Sequence, residues 1–140
     1  MEFSNGQVYL SGQNQAGDKD ANVSLYQAYT VGMVPITGKT KCIIKGVSSL
    51  TGGSFNWAGV ALGLMCLNPY RDVSFWFHYT NQPIGNGYHY YVGPLNGVME
   101  IVLADYGLTG DISWITLACS TDDEVLATHA ELWVDYIDFV

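Results

Sequence analysis

Asp72-Val-Ser-Phe-Trp-Phe-His-Tyr79 is the stretch that decides how the rest of the chain is read. With the two-residue period of a β-strand, it sets Val73, Phe75, Phe77 and Tyr79 on one face and Ser74, Trp76 and His78 on the other. The first face is a core surface. The second offers an indole flanked by hydrogen-bonding groups, as an uncharged amphipathic ligand such as a sugar requires.

Strand-like runs recur on both sides of this stretch. Before it they cover 7–10, 22–31, 39–47 and 58–66; after it, 88–92, 97–104, 111–119 and 131–140. Between them lie turn and loop signals: Pro35-Ile-Thr-Gly38, Asn68-Pro-Tyr-Arg71, and polar stretches at 12–20, 48–56 and 81–87. Gly59 and Gly63, inside a strand of small residues, mark close approach of a backbone or ligand. In the last run Leu132 and Val134 share one parity and Ile137 and Phe139 the other. A β-bulge near Asp135-Tyr136 would bring all four to the core. The acidic stretch 120–130 reads as a loop or one helical turn. No ten-residue helical periodicity and no internal repeat is present. The expectation is one all-β domain over 1–140, an antiparallel β-sandwich of eight or nine strands arranged as a jelly roll.

Composition narrows the partners. The 140 residues are 49% apolar but only 13% charged, where about a quarter is usual. The surface is therefore covered mainly by small polar residues and Tyr, which suits an extracellular protein and uncharged ligands. A net charge of −8 repels nucleic acid and anionic membrane surfaces alike. No apolar run approaches the roughly 20 residues that span a bilayer. Met1 leads straight into Glu-Phe-Ser-Asn-Gly without a signal region, the reading of a cytosolic protein or of an excised, mature segment. Cys42, Cys66 and Cys119 sit in apolar runs without zinc-like spacing and read as small core residues, with at most one pair among them.

Several runs together resemble the jelly-roll carbohydrate-binding modules attached to enzymes that degrade plant polysaccharides. Gly38-Lys-Thr-Lys-Cys-Ile-Ile44, Trp57-Ala-Gly-Val-Ala-Leu62 and Arg71-Asp-Val-Ser-Phe-Trp-Phe77 are similar to successive strands of that family. Leu108-Thr-Gly-Asp-Ile-Ser-Trp-Ile115 and Leu132-Trp-Val-Asp-Tyr-Ile-Asp-Phe139 resemble its closing strands, in matching order over most of the chain. The resemblance implies a non-catalytic module, part of a larger secreted polypeptide, that holds cellulose or a related β-glucan. It also implies a structural calcium ligated by Glu2 and Asp135, whose hard carboxylate oxygens suit that ion.

The candidate platforms for sugar rings are Trp57, Trp76, Trp114, Tyr88 and Tyr90, with Asp72, His78 and Gln82 as hydrogen-bonding partners. Trp133, beside the expected bulge, reads as packing. The run Tyr88-His-Tyr-Tyr91 exposes one parity, which the sequence leaves open. His78 and His89 have no third ligand for a metal, and Asp122-Asp-Glu124 reads as a solvated loop. A glycosidase needs two facing carboxylates; Glu100 and Asp105 are strand-borne, but neither has an identifiable partner. No Gly-x-Ser-x-Gly elbow or phosphate-cradling loop occurs. Alternatives to the binding module are a structural or assembly β-sandwich with its aromatics between subunits and, behind it, a small glycan-active enzyme.

Overall fold

In a computed structural model of the chain, residues 2–4, 6–14, 23–29, 34–52, 58–79, 87–121 and 128–140 are described, with backbone alone for 2–4, 14, 23–29 and 121. They form ten strands: β1 (Glu2–Ser4), β2 (Gln7–Asn14), β3 (Val23–Tyr29), β4 (Lys41–Gly52), β5 (Gly59–Leu67), β6 (Tyr70–Tyr79), β7 (His89–Tyr91), β8 (Asn96–Val102), β9 (Ile112–Thr121) and β10 (Thr128–Phe139). A short 3-10 turn covers Leu103–Tyr106. Several strands outrun their expected ends. Ser48–Gly52, expected as loop, continues β4 against β10, which itself begins at Thr128 inside the acidic stretch.

Two five-stranded sheets result, in the orders β1-β2-β10-β4-β8 and β3-β9-β5-β6-β7. Every described ladder is antiparallel except β6 with β7. Without the three-residue strands β1 and β7, the sheets read β2-β10-β4-β8 over β3-β9-β5-β6, and the chain alternates between them at nearly every connection. That is a jelly roll: two Greek keys closed over one core. The jelly roll thus has eight strands, within the expected number, and the three-residue β1 and β7 extend its edges.

The alternation at 72–79 builds this core from one side. Val73, Phe75 and Phe77 are fully buried, and Val60, Leu62, Leu64 and Cys66 of β5 continue the layer. Leu10, Cys42, Ile44, Leu132 and Val134 close it from the other sheet. All three cysteines are buried free thiols. Burial pushes those of Cys42 and Cys119 up to about 12.

Three register shifts adjust the alternation, one of them on β9, where Ser113 is the extra residue opposite Met65 and Cys66 of β5. The register of β10 on β4 shifts between Val134 and Tyr136, leaving Asp135 as the extra residue. Leu132, Val134 and Phe139 are buried as a result, and Ile137 packs against the same core. The bulge at Phe77 was not expected. On β6, Trp76 pairs with Ala61 but His78 with the next residue of β5, Val60, so Phe77 is the extra residue. Strict alternation fails at the end of this strand. Tyr79, expected in the core, comes opposite Gly59 and sets its ring 4.9 Å from that of Trp76. His78, expected beside Trp76, lies opposite a fully buried valine.

Candidate ligand-binding site

The outer face of the second sheet follows from its registers. Trp114, Met65 and Asp72 share one row; Thr116, Gly63, Ser74 and His89 the next; Ala118, Ala61, Trp76 and Tyr91 the third. Trp76 and Trp114 therefore stand on the same side of the same sheet, both half-buried. They are not adjacent: two strands and four residues of offset place their Cα atoms roughly 16 Å apart at ordinary strand spacings.

A groove runs along β6 where this face meets the incoming β7. It measures about 230 Å³ and is lined by Tyr70, Asp72, Ser74, Tyr88 and His89. Tyr70 and Tyr88 are 67% and 59% exposed, more than packing aromatics leave open. Behind the groove Arg71 holds the wall. Its guanidinium donates to the Gly87 carbonyl (2.6 Å), the Tyr106 carbonyl (2.8 Å) and the Tyr90 hydroxyl (3.3 Å), and lies 5.7 Å from the Tyr88 ring centroid.

Trp76 is fixed beside the groove. Its Nε1–H donates to Ser74 Oγ at 2.9 Å, and that hydroxyl meets His89 Nδ1. Ser74 Oγ thus links the indole to the imidazole, one hydroxyl bonded to both rings. Gly59 supplies the floor beneath the indole. A Cβ there would come within 2.6 Å of the Trp76 ring and 2.5 Å of the His78 carbonyl, so only glycine lets the ring lie down.

The chain matches no family model, no curated protein and no solved structure.

The resemblance to carbohydrate-binding modules therefore rests on the quoted strands, and the site is read from its own geometry. Trp76, Trp114, Asp72 and Tyr88 share the outer face or its groove. Tyr90 does not: its ring turns inward, 6.4 Å from Phe75 and 4.8 Å from Tyr106. In the 88–91 run the strand exposes His89 and Tyr91 instead. His78 has its Nε2 enclosed without a hydrogen-bond partner among the described residues. Trp57 and Gln82 lie outside the described residues. Tyr70 and Tyr91 have no role in the sequence reading, which takes Ser74 only as a hydrogen-bonding neighbour of Trp76 and His89 only as an imidazole without a third metal ligand. Carrying the alternation two residues back from Asp72 would have found Tyr70.

The remaining candidates lie elsewhere. Glu100 is exposed and paired with Lys41 at 2.8 Å, and Asp105 is exposed on the 3-10 turn. Asp135 accepts from the Gln7 amide and lies 3.6 Å from Lys45 Nζ. Glu2 is placed by backbone alone, opposite Tyr9. Among the described residues no three His, Cys, Asp or Glu side chains gather as a metal site. Trp133 is on the outer face of the first sheet, its ring 5.0 Å from that of Tyr9.

Proposed function

We propose that the protein is a non-catalytic glycan-binding module that takes a neutral polysaccharide chain of the β-glucan class on the outer face of β6 and β7. The observation that carries this reading is the groove itself: two exposed tyrosines, a carboxylate, a hydroxyl and an imidazole converge there beside a fixed indole. A pyranose presents C–H bonds to an aromatic face and hydroxyls to its rim. Asp72 accepts from such hydroxyls, and the bonded Ser74 and His89 pair offers its remaining hydrogen-bonding positions. By analogy with other aromatic contacts each platform supplies about 1 kcal/mol. Tyr70, Tyr88 and Trp76 with two or three hydrogen bonds then reach the roughly −4 to −8 kcal/mol of a millimolar to micromolar complex. Function would follow from proximity, by holding an attached domain near its polysaccharide. No catalytic step is assigned: Glu100 is paired with Lys41, and Asp138, which shares its row across Ile43, accepts from the Phe139 amide.

Affinity electrophoresis tests this. Gels containing soluble β-glucan, xylan or glucomannan should retard the protein, and a Trp76→Ala, Tyr88→Ala double variant should run as in a plain gel. Equal mobility of the wild type in all of these gels would refute the reading.

A second reading has its own observation. Leu67, Tyr70 and Tyr88 are each more than half exposed, and an assembly interface would cover them. Concentration-dependent oligomers in sedimentation, lost in Tyr70→Ser, would favour it. Calcium at Glu2 and Asp135 is a separate proposal. Because the Lys45 ammonium and Gln7 amide already engage Asp135, the ion would have to displace Lys45. A melting temperature lowered by chelator would support it, and an unchanged one would remove it.

A further inference from the structure

We infer that the opposite face of the molecule, the outer side of β2, β10 and β4, is a second and independent binding site for a neutral polyhydroxylated ring, with Trp133 as its platform and Glu131 as its acceptor. Trp133 stands opposite Tyr9 on β2 and Val47 on β4. The Tyr9 and Trp133 rings are inclined by only 31°, and Val47 is 44% exposed, so an apolar surface runs across three strands. Two residues back on β10, on the same side, Glu131 faces Ser11 and Ser49. At ordinary strand rise that is roughly 7 Å from Trp133, close to the width of one sugar ring.

The carboxylate is held but not saturated. Its Oε2 accepts from the Tyr9 hydroxyl at 2.7 Å, and this bond, with burial, raises the phenol above its ordinary value and keeps it a neutral donor. Among the described residues Oε1 has only long neighbours, Ser49 Oγ at 3.5 Å and His129 Nδ1 at 3.7 Å. An ionised carboxylate accepts about four hydrogen bonds, so Oε1 has room for a further donor at its partly exposed edge. Charge selects that donor. Glu131 and Asp135 outnumber Lys45 on this face and disfavour an anion, and beside the aromatic platform a hydroxyl on a ring fits Oε1. The ligand class is shared with the groove, but the residues are not, and either site stands without the other. If both bind, one molecule joins two chains.

Fluorine NMR of protein labelled with 5-fluorotryptophan tests this, since the four tryptophans give four signals assignable by single Trp→Phe variants. With cellohexaose, xylohexaose or mannohexaose up to about 10 mM, the Trp133 signal should shift and saturate, also in a Trp76→Ala background. Glu131→Gln should weaken that response about tenfold. A Trp133 signal unmoved by all three sugars overturns the proposal, as does a response indifferent to Glu131→Gln. So does a ligand-free shift that tracks dimer formation in sedimentation, which would give the face to a second copy of the chain. Movement of Trp76 alone leaves the groove standing and removes this site; movement of Trp133 alone does the reverse.

Discussion

Gly59 is where a single missing side chain shapes the binding face. The Trp76 ring and the His78 carbonyl both occupy the space a Cβ would need. Gly59→Ala should destabilise the fold by about 2 kcal/mol, as overpacking does, and should lift the indole off the sheet. Denaturant midpoints and a change in tryptophan emission would register the two effects. Cys42 and Cys119 make a different prediction. Burial holds both thiols protonated up to about 12 in the folded chain, against an ordinary value of 9.0. The unfolded chain therefore loses these protons first as pH rises. The contribution of these thiols to stability should be constant below about pH 8 and be lost progressively between about pH 9 and 12, the direction that linkage requires when the folded state binds more protons. A melting temperature that holds steady through that window would contradict the buried placement. Neither thiol should react with an alkylating reagent at neutral pH until the protein unfolds.

At the level of elements, β6 is tied to its surroundings by Arg71, which reaches the 3-10 turn through Tyr106 and the start of β7 through Gly87. Arg71→Met keeps much of the aliphatic stem and removes these bonds. The expected loss is about 2 kcal/mol, with faster amide hydrogen exchange confined to β7 and the turn. Uniform loss of protection would mean that Arg71 supports the whole sandwich instead. The bulges at Asp135 and Phe77 show what sequence could and could not convey. At Asp135 the apolar residues change parity within one run, so Leu132, Val134, Ile137 and Phe139 together required an extra residue. At Phe77-His78-Tyr79 every side chain is acceptable on either face, so nothing in the pattern betrayed the slip that brings Tyr79 to Trp76. Similarly, Tyr90 and Tyr88 look alike in sequence. Only the parallel pairing of β7 with β6, a contact between strands separated by a loop, turns one inward and leaves the other in the groove.

For the whole molecule, the jelly roll was legible because it is written in repeated alternation, turn spacing and the lack of helical period. The groove was only half legible. Its platform on β6 follows from one strand, while its far wall needs the neighbour chosen by topology. The low charge has a consequence at this scale too. A site built from aromatics, a hydroxyl, an imidazole and one carboxylate binds a neutral glycan without releasing counterions, so affinity should change less than about twofold between 0.05 and 0.5 M salt. A steep salt dependence would indicate a charged ligand. Titrating isotope-labelled protein with cello- and xylo-oligosaccharides and mapping amide shifts by NMR decides whether a neutral glycan lies along β6 and β7. Saturable shifts are expected at Asp72, Ser74, Trp76, Tyr88 and His89; no shifts with any oligosaccharide, or shifts confined to other faces, would exclude a glycan from this groove.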